Sequence, residues 1–341
     1  MPHKFAQRNY SLSLLGFVLG SLIFISCADK GTPLPDLRRQ IQGGVQHKAE
    51  LMFEARDPVV ALADSGQGFL YIGTSMGEIY RLDLEHEPKA ERICRGLSHS
   101  DNSFMAFAVT KDGSLLVNDL RDSQDVLLLI DSKGQAREIL KLSDSLLSLA
   151  ADRQGKVYLA CWTYEGNLSV SLNPRAVAGA EFIKGKIFVL EQNGLLVQIY
   201  EGGIPVWLTT NQKNQLIASI WGKQGYFAPE KKNYSYVDPY RAFWLALSDK
   251  VQLYNLTTQQ RLFANTMVDS LTLFVMTDDD YLFGYGISKD GGGGFYLVEA
   301  KRPPIRLLFA DESLSQNVTA LILFENVVYF GNAQGKVFRI K

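Results

Sequence analysis

Short apolar runs separated by glycine-containing turns recur along most of the chain. The clearest unit covers residues 59–84, VVALADSGQGFLYIGTSMGEIYRLDL, where three runs with a two-residue apolar period are separated by two such turns. A two-residue period predicts β-strands, because successive side chains of a strand point to opposite faces of the sheet. The pattern therefore predicts an all-β protein.

The same three-strand unit returns five more times. The further copies begin with FAVTKDGSLLVN at 107, LAADRQGKVYLA at 149, WLTTNQKNQLIAS at 207, FVMTDDDYLFG at 274 and LILFENVVYFG at 321. A more polar fourth strand follows each of the first five copies, whereas the sixth copy ends at Lys341 with no residues left for one. A segment of matching character, KAELMFEA, precedes the first copy at 48–55.

Repeats of about 40–50 residues with four short strands each are typical of a β-propeller, in which every repeat forms one blade. We expect a six-bladed β-propeller over residues 47–341, closed by segment 48–55 as the outer strand of the last blade. This order of strands resembles six-bladed propellers of the NHL and PQQ-like kind. Seven blades and a β-sandwich are the alternatives, since residues 207–265 have room for a seventh blade made partly of YRAFWLALS.

The first 26 residues have the features of an export signal. His3, Lys4 and Arg8 precede an apolar run from Leu12 to Ile25, and no acidic residue is present. As a helix this run would extend about 21 Å, which is shorter than a hydrocarbon core of roughly 30 Å. We expect residues 1–26 to be a signal peptide, with residues 27–46 a flexible tether to the propeller.

The end of the apolar run, Phe24, Ile25 and Ser26 followed by Cys27, resembles the lipobox of bacterial lipoproteins. The resemblance implies cleavage before Cys27, acylation of its thiol and a lipid anchor in the cell envelope. No aspartate follows Cys27, since Ala28 stands there, and this favours the outer membrane, facing the periplasm or the cell surface. An ordinary cleaved signal and a membrane-spanning anchor are the alternatives.

Charge argues against a nucleic-acid partner. The chain has 35 basic and 36 acidic residues, and loss of Lys4 and Arg8 with the signal leaves 33 against 36, a net charge of −3. A strongly basic surface is therefore excluded. We expect a monomer, and we expect Cys94 and Cys161 to be buried free thiols in non-adjacent blades.

Candidate catalytic chemistry is sparse. The chain has four histidines and no closely spaced pair of them, so we expect no catalytic histidine and no histidine-bound metal. Propeller lactonases and gluconolactonases, which this fold resembles, use Glu, Asn and Asp around a central Ca²⁺. The acidic and amide residues considered for such a role follow the first or second strands of the repeats: Asp64, Asp112, Asp152, Asp278, Asp279, Asp280, Asn118 and Asp119. Aspartates in tight turns commonly accept hydrogen bonds from their own backbone, which is the structural alternative.

Aromatic residues concentrate in two long insertions of the third and fourth repeats. All four tryptophans lie in these repeats, and the second insertion combines aromatic side chains with lysines and an arginine. Such a composition is typical of protein-contact hot spots. The candidate partner-binding residues are Trp221, Tyr226, Phe227, Tyr234, Tyr236, Tyr240 and Arg241.

The main functional hypothesis from the sequence is a membrane-tethered lipoprotein that acts as a protein-interaction scaffold in the cell envelope, without catalytic residues, metal or cofactor. The alternative is a divalent-metal-dependent lactone or sugar hydrolase of the propeller type.

Overall fold

The computed structural model describes the chain from Pro33 onward. It describes residues 33–341 except 86–87, 99–104, 123, 165–182, 192, 212, 222–250, 259, 264–269, 277–280, 288–292, 300–304 and 316. Three short elements come first: helix α1 (Leu34–Gln42), strand β1 (Gln46–His47) and strand β2 (Ala49–Glu54).

Four-stranded antiparallel sheets, the blades, follow in chain order. Blade one contains β3 (Val59–Asp64), β4 (Phe69–Thr74), β5 (Ile79–Asp83) and β6 (Lys89–Cys94). Blade two contains β7 (Phe107–Val109), β8 (Leu115–Arg121), β9 (Gln124–Ile130) and β10 (Ala136–Lys141). Blade three contains β11 (Ser145–Ala151), β12 (Val157–Tyr164), β13 (Ile183–Leu190) and β14 (Leu196–Gly202).

The second half of the chain repeats this arrangement. Blade four contains β15 (Ile204–Thr210), β16 (Leu216–Trp221), β17 (Val251–Asn255) and β18 (Gln260–Phe263). Blade five contains β19 (Ser270–Met276), β20 (Tyr281–Ile287), β21 (Gly293–Glu299) and β22 (Ile305–Arg306), followed by the short strand β23 (Leu308–Phe309) and a 3-10 turn (Glu312–Ser315). Blade six contains β24 (Val318–Phe324), β25 (Val327–Asn332), β26 (Lys336–Ile340) and, from the start of the chain, β2.

The first strands of the blades form a closed ring. Each of β3, β7, β11, β15, β19 and β24 contacts the first strand of the next blade, and β24 contacts β3. The described residues therefore form six blades, and the predicted six-bladed propeller is confirmed. Because β15 and β19 contact each other directly, the ring has no place for a seventh blade between blades four and five.

Strand β2 closes the ring as predicted. It lies at the outer edge of blade six and pairs antiparallel with β26, with Leu51 opposite Phe338. The pairing joins the two ends of the described chain and covers a strand edge that would otherwise be open.

The hydrophobic core is divided among the interfaces between neighbouring blades. The largest cluster lies between blades five and six, where Phe283, Phe295 and Phe330 have no exposed surface. The rings of Phe295 and Phe330 are 4.9 Å apart at their centroids. Burial of such a side chain stabilises the fold by roughly 1.5–3 kcal/mol, so these interfaces are the main source of stability.

An extra residue interrupts the pairing of most first strands at the same place. The register with the second strand shifts between Val59 and Ala61, Leu146 and Ser148, Pro205 and Trp207, Leu271 and Leu273, and Val318 and Ala320. A β-bulge of this kind bends the strand and re-aims its side chains. Here it recurs in five of the six blades at the ring's inner edge.

Two glycines permit close contact between blades. Gly73 and Gly331 occupy the same position in blades one and six, opposite the residue that follows the bulge. A Cβ atom on Gly73 would overlap the side chains of Met105 and Phe107, and one on Gly331 would overlap Val59. These glycines therefore set the spacing between blades.

The segment before β1 is a helix, which corrects the predicted tether of 27–46 from Pro33 onward. Leu37 and Ile41 lie on one face of α1, have 0% and 3% exposed surface, and pack into the cluster between blades five and six. Asp36 stands in the first turn, and the helix ends at Gly43. The apolar positions follow a helical period but are few, and their burial depends on contacts with blades far along the chain. No helix in the described part of the chain is long and apolar enough to cross a membrane.

Candidate functional site: the loop face of the propeller

The two ends of the strands define two faces of the propeller. We call the end where the second strand of each blade connects to the third the loop face, and the opposite end, where the first strand connects to the second, the turn face. The connection from each blade to the next also lies on the loop face, as follows from the antiparallel order of each sheet.

Both long insertions begin and end on the loop face. In blade three the second strand ends at Tyr164 and the third begins at Ile183. In blade four the second strand ends at Trp221 and the third begins at Val251. Blades three and four are neighbours in the ring, since β11 contacts β15. The strand ends that flank the two insertions therefore lie on neighbouring blades at the same face.

Of the predicted partner-binding residues, the structure places one. Trp221 is the last residue of β16, and its backbone pairs with Ile204 and Val251. The other six, like Cys27 and the aspartates 278–280, lie outside the described residues: Tyr226, Phe227, Tyr234, Tyr236, Tyr240 and Arg241.

Asn118 and Asp119 have structural partners on the loop face. Asn118 is fully buried, and its Oδ1 accepts a hydrogen bond from the backbone N–H of Ala106 (2.8 Å). Oδ1 of Asp119 accepts one from the N–H of Ser98 (2.6 Å), and Oδ2 accepts one from Nε of Arg121 (2.8 Å). These bonds tie Ser98 and Ala106, which flank the connection from blade one to blade two, to strand β8.

Asp125 is a second buried carboxylate on this face, and it joins blades two and three. Its Oδ2 accepts a hydrogen bond from the N–H of Leu146 (2.9 Å), while Oδ1 is buried without a hydrogen-bond partner. Burial raises the pKa of Asp125, and the bonds with Leu146 and Asn118 oppose that rise only in part. The charge on this carboxylate is therefore disfavoured in the folded protein.

Another acidic residue contacts the third strand of blade three. Asp144, in the connection between blades two and three, forms an ion pair with Lys186 (3.0 Å). Lys186 stands directly opposite Cys161 on the neighbouring strand. Burial raises the pKa of the Cys161 thiol, the nearby carboxylates of Asp144 and Asp125 raise it further, and Lys186 opposes them. Cys161 is therefore a neutral thiol and a poor nucleophile.

Both cysteines are free thiols as predicted, but the predicted burial holds for Cys161 only. Cys161 is buried, whereas Cys94 is partly exposed, and neither forms a disulfide. They belong to blades one and three, which are not neighbours.

On the turn face the described aspartates hold turns together, as the structural alternative predicted. Oδ1 of Asp152 accepts hydrogen bonds from the N–H groups of Gln154 and Lys156, both 2.9 Å. Asp64 accepts one from Gly66 (2.6 Å), and Asp112 lies beside Thr110 and Ser114 in its own turn. Such turns are a local solution for unpaired backbone N–H groups.

The described residues do not fit a central divalent cation. Among them, no group of three or more His, Cys, Asp and Glu side chains is arranged to hold a metal ion. The oxygen donors of Asn118 and Asp119 on the loop face are already bound to backbone N–H or guanidinium groups.

Sequence reasoning missed Asp125 and Asp144. Each stands near the start of a strand or in a short connection, where acidic residues are usually solvated, and only the packing of two blades reveals their burial. The sequence indicates only where these two residues stand in the repeat: both Asp125 and Asp144 lie where blade two meets blade three.

Comparison with known proteins supports the fold. No family model matches the chain, and no curated protein does. Among solved structures, it is similar to a gluconolactonase from Xanthomonas campestris, with 10% identity, 93% of both chains covered and a TM-score of 0.57.

Two further structures are similar over most of their length. One is an inactive virginiamycin B lyase from Staphylococcus aureus with quinupristin, at 10% identity, 87% of this chain, 99% of that chain and a TM-score of 0.53. The other is a glucose dehydrogenase, at 12% identity, 86% of this chain, 98% of that chain and a TM-score of 0.54. At these identities the similarity confirms a β-propeller and no more.

Proposed function

We propose that the protein is a propeller enzyme that hydrolyses a lactone or a sugar-derived ring at its loop face. The observation that carries the proposal is the similarity to a gluconolactonase over 93% of both chains. A second similar structure is named for glucose, and a third is a lyase. The sequence alternative, a lactone or sugar hydrolase, is therefore better supported than a scaffold alone.

The position of the insertions supports the loop face as the substrate site. Loops on a rigid scaffold commonly carry binding and catalytic residues, and here two adjacent blades supply long ones. The proposal assigns no step to a metal ion, because the described residues do not fit one. If side chains outside the described residues bind a divalent cation, hydrolysis should depend on that cation. Metal dependence is therefore an outcome to measure.

The test is hydrolysis of δ-gluconolactone by the protein comprising residues 28–341. The reaction is monitored through proton release and is measured in the presence of Ca²⁺, of Zn²⁺ and of a chelator. We expect hydrolysis above the spontaneous rate, and we expect a variant lacking 222–241 to lose it. Met76→Ser is the matched control, since Met76 lies in the corresponding connection of blade one and is 66% exposed. A rate equal to the spontaneous one under every metal condition would overturn the proposal for this substrate class.

A second candidate is a non-catalytic scaffold in the cell envelope, anchored by acylation of Cys27. It rests on the lipobox-like segment ending at Cys27 and on the aromatic residues between Trp221 and Arg241. The two candidates share the loop face but differ in its occupant. We propose the lipid anchor for both.

Cross-linking in membranes followed by purification separates the candidates. A scaffold should lose its cross-linked protein partner when 222–241 is deleted and should keep it in Met76→Ser. An unchanged set of partners in the deletion variant would contradict a role of this segment in protein binding.

A further inference from the structure

We infer that the propeller is held with its turn face toward a lipid bilayer and its loop face away from it. This placement rests on the lipid anchor at Cys27 proposed above. It follows from the place where the chain leaves the propeller, which the structure shows to be on the turn face.

The departure point is Pro33. Its backbone forms a bridge with Val327, the first residue of β25. Val327 follows residues 325–326, which connect β24 to β25 and therefore lie on the turn face of blade six. The residues that lead back from Pro33 to Cys27 consequently start at this face.

The departure point is firmly held. Leu37 and Ile41 of α1 are buried between blades five and six, and β1 pairs with β23 by placing Gln46 opposite Leu308. Releasing the segment that begins at Pro33 would require these apolar side chains to leave the core, which is unfavourable. The chain is thus fixed to the propeller from Pro33 onward.

The segment between Cys27 and Pro33, here called the leash, is short. Five residues lie between Cys27 and Pro33, so six steps from Cα to Cα, at ~3.3–3.6 Å each, reach at most about 20 Å. Had the whole segment 27–46 been extended, it would have reached about 65 Å and allowed any orientation of the propeller. The helix therefore converts a long tether into a short one.

The short leash selects one face. Acyl chains on Cys27 would keep that residue at the bilayer surface. The turn at 325–326 must then lie within about 20 Å of the lipid headgroups. When β25 runs along the bilayer normal, the loop-face end of the same blade is farther away by the length of that strand, about 20 Å for six residues.

The occupant of the turn face beside blade six is thus the lipid surface to which the chain is anchored. The loop face, with the insertions of blades three and four, points into the adjoining compartment. A dissolved substrate or a protein partner reaches it without crossing the lipid headgroups.

The test compares two labelled positions at opposite ends of blade six. Glu325 and Gln334 are both exposed and lie in the connections on the turn face and the loop face. Each is replaced by cysteine in a Cys94→Ser background, where Cys161 is too buried to react. The acylated chain is placed in phosphatidylcholine vesicles that contain a headgroup-labelled acceptor lipid. We expect energy transfer from position 325 to exceed that from 334 by roughly twofold or more, because the leash is short.

A lengthened leash is the control. Insertion of about 20 Gly and Ser residues before Pro33 should abolish the difference between the two positions, since such a linker is flexible. Equal transfer from Glu325→Cys and Gln334→Cys at native spacing, in protein whose mass shows acylated Cys27, would overturn the placement alone. A mass without acyl groups would overturn the anchor, and the placement with it, while hydrolysis at the loop face would be unaffected.

Discussion

Glu50 and Arg339, 289 residues apart in the chain, hold the ring closed. They face each other across β2 and β26, and both Nε (3.1 Å) and Nη2 of Arg339 donate hydrogen bonds to Oε2 of Glu50. Lys341 adds an ion pair to the same oxygen at 3.1 Å. Burial favours the neutral form of Glu50, but the hydrogen bonds from Arg339 and Lys341 outweigh it and lower the pKa.

Glu50→Gln should lower the free energy of unfolding at neutral pH by about 1 kcal/mol, since a partly exposed ion pair contributes modestly. The lowered pKa means that this contribution is present above the unfolded value near 4.5 and is lost as pH falls through the folded pKa. Urea unfolding at two pH values measures both. Glu54→Gln, on the same strand with Lys336 at 3.7 Å and 59% of its side chain exposed, should have almost no effect. Equal losses in the two variants would contradict a special role of Glu50 in closure.

The helix makes a stronger prediction. Leu37→Ala should destabilise the protein by about 2–5 kcal/mol, because it removes a fully buried side chain from the cluster between blades five and six. Arg39→Ala, whose side chain is 76% exposed, is the matched control and should stay close to wild type. Thermal unfolding of both variants would measure this. A wild-type melting temperature in Leu37→Ala would mean that α1 is not part of the folded core.

The propeller could be predicted from the sequence because its repeat is local. Turn chemistry and apolar alternation mark each strand pair, and the missing outer strand of blade six pointed to segment 48–55. Equivalent turn positions can nevertheless carry different residues: Asp152 and Ser65 make the same side-chain bonds to the N–H groups two and four residues later. Asp152 therefore corresponds to Ser65, and Asp64 stands one residue earlier.

What could not be predicted depends on contacts between distant segments. The α1 helix is too short for a clear periodic signal, and its burial comes from blades five and six. Asp125 resembles a surface residue at a strand start until blade three packs on it. The candidate site was predicted only as a region, since of the seven aromatic and arginine residues chosen the structure places Trp221 alone.

Asp125 should show an unusual response to substitution. Asp125→Ala removes the acceptor of the Leu146 N–H and should cost about 1–3 kcal/mol. Asp125→Asn keeps an acceptor and loses the disfavoured charge, so it should be at least as stable as wild type at pH 7. Because burial raises the pKa of Asp125, its favourable contribution exists at low pH and is lost as pH rises through the folded pKa. Chemical denaturation of wild type and both variants as a function of pH measures these differences. An Asn variant as unstable as the Ala variant would contradict the prediction.

His47 should give the opposite pH dependence. It lies in β1 with 2% of its surface exposed, and its Nε2 is buried without a hydrogen-bond partner. Burial lowers the pKa of His47, and a hydrogen bond with the backbone of Lys341 opposes this only in part. The unfolded chain therefore takes up the proton first as pH falls below about 6.5, and the folded state loses stability.

Replacement of His47 tests this directly. His47→Asn should flatten the decline of unfolding free energy between about pH 7 and pH 5, whatever it costs in absolute stability, because the titrating group is gone. The slope of stability against pH is therefore the quantity to compare, measured by urea unfolding of wild type and variant. Since β1 connects α1 to the closing strand β2, protonation of His47 acts on the segment that fixes the start of the chain to the propeller. An unchanged slope in His47→Asn would assign the acid sensitivity to other groups and leave β1 without a role in it.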